Sequence, residues 1–537
     1  MTTSSTARTV ATYDAVIVGS GINALVAGAQ LARAGWRVAL CELGDRLGGA
    51  IYTSEDVFPG YVVELLSSWH PLFVGGPAFA ALGDELARRG VVYRNTTKPT
   101  GVVCRDGSAV LSTDPAELAG TLAALGDADR WARTMDDFGG RIDLAFGVLG
   151  ADLWRAESLA LGWKALRRLG RRGLIATGAE MLEPARPWLE RTYVSPVTRA
   201  LLAPWCLHNG LGPDDASSAF ITKVIAAAIA MGGMPVPEGG GRRLVEALAG
   251  IVTDAGGVAL TGAEVTEVLV ERGRATGVRL ADGRLLGARR AVLAGVTPHV
   301  LYERLLGDKA PAAARSAAAA FRHGRSAMQI HLALSEPPRW TDPALADVAL
   351  VHVLDDLDSL SESVNAAWRG LLPARPTVAV GQPATVDPGR VPAGGGLLWL
   401  QLQELPRTVR GDLAGEIDPG DGAWTPRLRD AYAERVLGRL EPHITNLSAI
   451  TDRRVLGPAE LAAMNANLVG GDPYGGDCRI DQYALWRPLS TGQGHATGVA
   501  GLWHIGASTH PGPGLGGVSG FLVAERLTRR RPGRRRA

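Results

Sequence analysis

A strand, a glycine turn and a helix near the amino terminus constrain the fold more than any other part of this 537-residue chain. Residues 16–18 predict a short buried strand, and Gly19-Ser20-Gly21 predicts a sharp turn into a helix over 22–34. Gly35 stands where a helix C-cap glycine is expected, and residues 36–41 predict the next parallel strand. Parallel strands joined by a helix build doubly wound folds, so the sequence predicts an α/β protein with a Rossmann-type domain.

The residues of this turn suit a dinucleotide site. Gly19 permits the tight turn, Gly21 lets the backbone approach a pyrophosphate, and Ala24 in the third glycine's place keeps the helix near the sheet. The helix N-terminus offers free N–H groups and a positive dipole end to phosphates. Glu42 follows Gly19 by 23 residues, which suits a carboxylate that accepts both ribose hydroxyls of an adenosine. The alternative to a dinucleotide site is a glycine turn that binds no cofactor.

A further glycine pair follows in the segment ELGDRLGGAIYT, where Arg46 precedes Gly48 and Gly49. This R-x-G-G arrangement resembles the element after the adenosine-binding strand in large flavoprotein oxidoreductases of the amine oxidase and phytoene desaturase superfamily. The resemblance implies that the two glycine amides face phosphate and ribityl oxygens while Arg46 adds charge nearby. It favours FAD over NAD as the tightly held cofactor.

The carboxy-terminal segment GLWHIGASTHPGPGLGGVSGFLVAERL predicts a strand over 502–505, a glycine-rich loop and a helix that starts near Gly516. Such a loop suits the closure of a flavin site, with the helix N-terminus directed at the pyrimidine end of the isoalloxazine. The segment resembles the ending of bacterial-type phytoene desaturases. On that resemblance Gly506, Gly516, Gly517 and Val518 are assigned to the cofactor.

The resemblance extends from residue 13 to about 527, and further residues agree with the phytoene dehydrogenase-related subgroup, also called pyridine nucleotide-disulfide oxidoreductase domain-containing protein 2. It rests on segments such as GGMPVPEGGGRRLVEALAGIV and NANLVGGDPYGGDCRIDQYALWRP. It implies that the backbone of Val265 meets the adenine. The chain departs from the pattern at Ala50, at 67–71 and at Pro513, near the expected flavin and substrate wall. Neither a CxxC pair nor a second convincing GxGxxG unit supports disulfide reductase chemistry.

The resemblance also implies a discontinuous domain organisation. Residues 10–100, 235–310 and 480–527 are expected to form the FAD-binding domain, and 101–234 with 311–479 an α+β substrate domain with a helical cap. The segments MQIHLALSEPPRW and GLLWLQLQEL predict strands of the second domain. Residues 528–537 form a basic tail.

Two segments of the first insert are apolar at helical spacing. SLALGWKALRRLGRRGL also carries five basic residues, and AFITKVIAAAIAMGGMPVP ends in glycines and proline. One interpretation is a lid or membrane-facing element that delivers a lipophilic substrate. A solvated helix face beside a core helix is the other interpretation.

Two histidines are candidates for catalysis. His510 lies in the T-H-P-G turn, where the isoalloxazine is expected, and could relay a proton or hydrogen-bond its own loop. His70, beside Trp69, is expected on the strand after the R-x-G-G element. We find no spacing typical of a metal site and no Ser-His-Asp or Cys-His arrangement.

Charge and cysteine content bound the partners. Without the seven arginines of the last twelve residues, 49 basic side chains face 54 acidic ones, which argues against nucleic-acid binding. The arginine-rich end is either a solubilising tail or a contact for anionic lipid. Four scattered cysteines, the absence of a long apolar run and a polar start predict a cytoplasmic protein, with peripheral membrane contact as an open alternative.

The sequence therefore predicts an FAD-dependent oxidoreductase that dehydrogenates an apolar or amphipathic small molecule, such as an isoprenoid, a carotenoid or a specialised metabolite. Electrons would pass to oxygen, a quinone or another acceptor. A flavin amine oxidase that forms an imine and a catalytically silent flavin-binding interaction protein are the alternatives.

Overall fold

Two seven-stranded sheets organise the computed structural model, which describes residues 11–491 and 494–529. The strands are β1 (Ala11–Val18), β2 (Val38–Cys41), β3 (Thr53–Ser54), β4 (Val63–Glu64), β5 (Tyr93–Arg94), β6 (Thr100–Cys104), β7 (Gly107–Leu111), β8 (Val236–Pro237), β9 (Val258–Leu260), β10 (Val265–Glu271), β11 (Arg274–Leu280), β12 (Leu285–Ala294), β13 (Ser326–Leu334), β14 (Leu350–Val353), β15 (Leu371–Leu372), β16 (Val378–Gly381), β17 (Gly396–Leu405), β18 (Gly411–Asp412), β19 (Ile450–Leu456) and β20 (Leu502–His504).

Helices cover both sheets. They are α1 (Ile22–Arg33), α2 (Pro71–Val74), α3 (Pro77–Arg88), α4 (Pro115–Ala124), α5 (Ala128–Gly139), α6 (Ile142–Leu149), α7 (Ala156–Leu182), α8 (Ala185–Thr192), α9 (Pro196–Leu202), α10 (Ser218–Gly232), α11 (Arg242–Asp254), α12 (Ala312–Ala319), α13 (Leu357–Trp368), α14 (Pro383–Val386), α15 (Pro426–Leu440), α16 (Pro458–Met464) and α17 (Val518–Thr528).

The first sheet has the order β10-β11-β12-β1-β2-β9, with β20 added beside β12. Strands β9, β2, β1, β12 and β20 run parallel to one another, and β11 pairs antiparallel with β12. The last four residues of β1 are buried, as expected for a parallel strand covered on both faces. Helices α1, α3, α11 and α17 pack on one face. This arrangement confirms the predicted Rossmann-type α/β fold.

The second sheet has the order β19-β13-β17-β16-β14-β6-β7 and is antiparallel except where β14 meets β6. Helix α15 covers one face. The other face packs on helices α8 to α10 and, through β13, on the segment after β4. The two predicted strands of this domain are confirmed as β13 and β17.

Several local predictions need correction. Residues 67–70 form no strand; His70 is instead the N-cap of α2. The second predicted strand starts at Val38 because residues 36–37 lie outside the parallel ladder. Helix α17 runs to Thr528, one residue into the predicted tail, whose residues 530–537 lie outside the described part. The domain boundaries stay a prediction.

Helix α7 confirms the helical spacing of the basic insert, but its backbone breaks at Gly170, where φ is 66°. Helix α10 corresponds to the predicted apolar helix. Within residues 11–491 and 494–529, no helix combines the length and apolarity that crossing a bilayer requires.

Candidate active site

Three adjacent parallel strands of the first sheet end in a glycine at the same edge. Gly19 follows β1, Gly295 follows β12 and Gly506 is two residues after β20. A Cβ on Gly19 would lie 3.2 Å from the Gly295 carbonyl oxygen, and one on Gly506 would lie 3.8 Å from the Gly295 Cα. The missing side chains leave bare backbone at the carboxyl edge of the sheet, where α/β proteins bind ligands.

Helix α1 begins directly beside this edge. Its N-cap is Gly21, which contributes no side-chain hydrogen bond, and a Cβ there would meet no atom within 4 Å. The first turn contains no acidic residue. No described residue therefore covers the N–H groups and the positive dipole end of α1, as an anion site requires. Ala24 is buried on the sheet side of the same turn.

Helix α17, from the other end of the chain, meets α1 at this point. A side chain on Gly520 would overlap the carbonyl group of Asn23, and a Cβ on Gly517 would lie 2.7 Å from Val26. Gly517 is the N-cap of α17 with φ of 67°, and Val518 is the first helical residue. The two contacts lie in the first turns of both helices, so two helix N-termini converge on one edge of the sheet.

The glycine-rich end segment is held by short hydrogen bonds. The Gly506 N–H donates to Ser519 Oγ over 3.1 Å, and Ser519 Oγ lies 2.6 Å from Thr509 Oγ1. Gly516 packs on α2, since a Cβ there would lie 3.4 Å from the carbonyl oxygen of Leu72. These contacts fix the loop relative to β20 and α17.

Glu42 ties the first glycine turn to the end of β2. Its carboxylate accepts from the N–H of Ser20 over 2.9 Å and from the N–H of Gly44 over 3.0 Å, and Ser20 Oγ donates over 2.5 Å. A carboxylate has about four acceptor positions, so capacity for a further donor remains. The predicted contact with ribose stays a prediction.

The R-x-G-G element lies against the same turn. Gly48 pairs with Gly21 in a parallel bridge, and a Cβ on Gly49 would lie 2.9 Å from the Gly21 Cα. Arg46 donates to the carbonyl oxygens of Gly49 and Ile51 over 3.2 and 3.3 Å, and burial lowers its pKa. In this structure Arg46 organises the loop through its carbonyl groups.

Val265 lies close to Glu42 through paired backbone. The N–H of Gly262 donates to Gly44, and that of Ala263 donates to Glu42, each over 2.7 Å. Val265 begins β10 two residues later and is buried. The residues predicted to contact the adenosine thus lie on neighbouring segments.

The assembled groups fit an extended dinucleotide. Bare backbone at Gly19, Gly21 and Gly506 leaves room that a Cβ would fill, and two helix N-termini supply positive potential for a pyrophosphate. Sequence reasoning missed Gly295 and Asn467, whose Nδ2 donates to the Gly295 carbonyl over 3.0 Å. Gly295 was missed because it lies outside every motif described above. Asn467 was missed because no motif assigns its segment to a part of the cofactor.

His510 is buried in the loop before α17. Its Nε2 donates to the carbonyl oxygen of Val148 in α6 over 2.9 Å, so a neutral ring carries its lone pair on Nδ1. That nitrogen is buried and accepts from no described residue. Burial lowers the pKa of His510 to about 4, so the ring is neutral near pH 7. Nδ1 of His510 is thus an unprotonated nitrogen, able to accept a proton, in the loop before α17.

His70 is equally buried, at the start of α2. Its Nδ1 lies 3.0 Å from the hydroxyl of Tyr93, and Nε2 has no partner among the described residues. Burial, followed by the nearby charge of Arg390, lowers its pKa to about 3. Neither observation tests a catalytic role, which stays a prediction for both histidines.

Polar residues on the inner face of the second sheet were missed by the sequence reasoning. Gln329 and His331 on β13 donate to the carbonyl oxygens of Leu66 and Leu65 over 3.2 Å each. Gln401 on β17 is half-buried and pairs across the sheet with Gln329. The alternation of apolar and polar residues along one strand does not show which face of the sheet meets another domain. The sequence therefore contains no signal for these three residues.

Comparisons with known proteins agree with this geometry. Residues 25–391 match the family described as flavin containing amine oxidoreductase. Pyridine nucleotide-disulfide oxidoreductase domain-containing protein 2 of Rattus norvegicus is 26% identical, with 95% of this chain and 92% of the relative covered. A lycopene-forming phytoene desaturase of Paracoccus sp. is 27% identical, with 96% and 97% covered.

Among solved structures, cyclohexylamine oxidase from Brevibacterium oxydans superposes with a TM-score of 0.57. The identity is 16%, with 96% of this chain and 98% of that chain covered. This likeness concerns the fold.

Proposed function

The chain belongs to the flavin-containing amine oxidoreductase family and is an FAD-dependent oxidoreductase, and from that premise we propose that it dehydrogenates an apolar or amphipathic small molecule. The observation that carries the proposal is the convergence of α1, α17 and three glycine-ended strands on one sheet edge. The full-length similarity to a phytoene desaturase supports an isoprenoid, a carotenoid or a specialised metabolite as substrate.

In this proposal the two chain ends hold one FAD. The turn at Gly19 and Gly21 and the N-terminus of α1 receive the pyrophosphate, and Glu42 with Val265 receives the adenosine. The backbone of Gly48, Gly49 and Gly506 would help to hold the cofactor. The N-terminus of α17, with Gly516, Gly517 and Val518, stabilises negative charge on the ring system.

The chemistry that bound FAD would supply is acceptance of a hydride from the substrate. The protein orients the reacting carbon, excludes water and offers a proton acceptor. The uncharged imidazole of His510, with its free Nδ1, suits the last role, and His70 is the second candidate. Oxygen, a quinone or another compound would serve as the final electron acceptor.

Oxidation of an amine to an imine is the second candidate, favoured by the description of the matched family. We test dehydrogenation and amine oxidation with the purified holoenzyme under anaerobic conditions. The readout is the flavin absorbance at about 450 nm. Dehydrogenation predicts bleaching by polyenes or isoprenoids. Bleaching by amines alone favours the second candidate, and a flavin that no organic compound bleaches favours a binding role.

We also propose peripheral contact with a membrane through α7. Leu159, Trp163 and Ile175 on this helix are 75%, 60% and 73% exposed. Arg171 and Arg172 are exposed between them. Aromatic and aliphatic side chains beside cations suit the interface of an anionic bilayer, where an apolar substrate is concentrated.

A further inference from the structure

A pair of hydrogen-bonded histidines lies on the second sheet, apart from the residues assigned to the cofactor. His352 is on β14 and is 1% exposed, and His208 lies in the 3-10 segment Ala203–Asn209 and is half-buried. Their Nε2 atoms are 2.9 Å apart. Trp205 packs on both rings, with centroid distances of 4.6 Å to His208 and 4.9 Å to His352.

The contact between the two Nε2 atoms limits where the protons can lie. Burial lowers the pKa of His208 to about 4 and that of His352 well below its ordinary value, so both rings are neutral near pH 7. Each neutral ring carries one N–H, and a contact between two ring nitrogens needs one N–H and one lone pair. Nδ1 of His352 is buried without a described partner.

An orphaned buried N–H is rarer in proteins than an unused acceptor. We therefore place the lone pair of His352 on Nδ1 and its proton on Nε2, which donates to His208. The proton of His208 then lies on Nδ1, which donates to no described residue but, unlike Nδ1 of His352, is accessible to solvent, so this arrangement orphans no buried N–H.

Trp205 supplies a second donor without an acceptor. This residue is 3% exposed, and its indole Nε1 is buried with no partner in the described part of the chain. The buried indole N–H therefore lacks a partner among the described residues. The Nδ1–H of His208, on the ring packed beside it, is open to a further contact.

This cluster is linked to the proposed reaction site. Asn209 Nδ2 donates to the hydroxyl of Tyr483 over 3.3 Å, and that hydroxyl donates to the carbonyl oxygen of Pro511 over 2.8 Å. Pro511 adjoins His510. The chain of contacts joins the segment of His208 to the loop before α17.

We propose that His208 and Trp205 form a subsite that binds an oxygen atom of the substrate. The His208 Nδ1–H and the Trp205 Nε1–H donate to a hydroxyl or carbonyl oxygen, which positions the remaining apolar chain. This inference rests on the proposed dehydrogenase function and narrows its substrate class to oxygenated, amphipathic molecules. A pure hydrocarbon leaves both donors unpaired, and a protonated amine offers only further donors.

Calorimetric titration of the holoenzyme tests the subsite with three probes of similar chain, namely geraniol, the hydrocarbon myrcene and geranylamine. We expect geraniol to bind at least ~10-fold more tightly than either of the others. Equal or weaker binding of geraniol would overturn the subsite. Flavin bleaching is recorded separately, so failure of the dehydrogenase function and failure of the subsite give different results.

Two substitutions of His208 separate its nitrogens. His208→Asn keeps an amide donor near the Nδ1 position, whereas His208→Gln places its amide near Nε2. We expect His208→Gln and Trp205→Phe each to reduce the geraniol preference about 5-fold without changing myrcene binding, and His208→Asn to keep the preference within about 2-fold. His443→Gln, beyond the opposite face of the sheet, is the control. Equal losses for geraniol and myrcene would indicate packing alone and contradict the proposal.

Discussion

The crossing of α1 and α17 allows a sharp test by one methyl group. At Gly520 a Cβ would overlap the carbonyl oxygen of Asn23 and lie 2.7 Å from its carbonyl carbon. Carbon atoms pack at about 3.5–4.0 Å, and the overlap with the oxygen is more severe than the contact with the carbon, so Gly520→Ala requires the two helices to separate by more than about 1 Å. The opposing atoms are backbone and have no rotamer to change. We therefore expect destabilisation near the upper end of overpacking, about 3 kcal/mol, together with weaker FAD retention.

The matched control is Gly438→Ala. Gly438 lies in α15 and is exposed, and a methyl group there would meet no atom within 4 Å. Helix propensity alone predicts that this change adds up to about 1 kcal/mol of stability. Urea unfolding and the FAD-to-protein absorbance ratio after gel filtration are measured for both variants. A Gly520→Ala protein with wild-type midpoint and wild-type flavin content would refute the helix crossing.

Three further predictions follow from the site and the surface. Glu42→Ala should weaken FAD retention by about 2 kcal/mol because the Ser20 and Gly44 N–H groups lose their acceptor; full flavin content after dilution would exclude this role. The buried imidazoles of His510 and His331 have pKa values lowered from 6.5 to about 4, so the unfolded chain binds the extra protons and stability falls as pH drops from 6.5 towards 4. The free energy of unfolding should fall by about 1.4 kcal/mol per pH unit for each such histidine, and by less in His331→Gln. Urea titration at several pH values measures this dependence, and an unchanged pH dependence in the variant would contradict the assignment. Trp163→Ala combined with Arg171→Glu should reduce co-sedimentation with phosphatidylglycerol vesicles several-fold relative to Arg453→Glu, and equal binding would exclude α7 as the contact.

The chemistry of the first glycine turn could be predicted from sequence because its determinants are local. Gly19 and Gly35 adopt positive φ at the ends of β1 and α1, and Gly21 is the N-cap of α1, as a turn within a few residues requires. The assignment of the carboxy-terminal loop relied on resemblance. Its predicted helix began two residues early, because Gly517 adopts a left-handed conformation and caps the helix.

The error at residues 67–70 has a physical cause. The strand expected there came from the family resemblance, whereas the residues themselves are Ser67, Ser68, Trp69 and His70, and Trp69 is buried against Gly381 of the other sheet. Burial by a distant element leaves no periodic trace in the local sequence. The same reason explains why Gly295, His208 and His352 escaped prediction.

The tautomers of the histidine pair could not be predicted at all. They depend on a contact between β14 and a 3-10 segment 144 residues away in sequence. Only the fold brings such groups together, and the burial that makes both rings neutral arises from the same packing.

The most direct measurement is the flavin content of the purified full-length protein. The two converging helix ends predict one FAD per chain, released only on denaturation and identified by its absorbance spectrum. A folded preparation that stays colourless after incubation with excess FAD would contradict the shared site of the two chain ends.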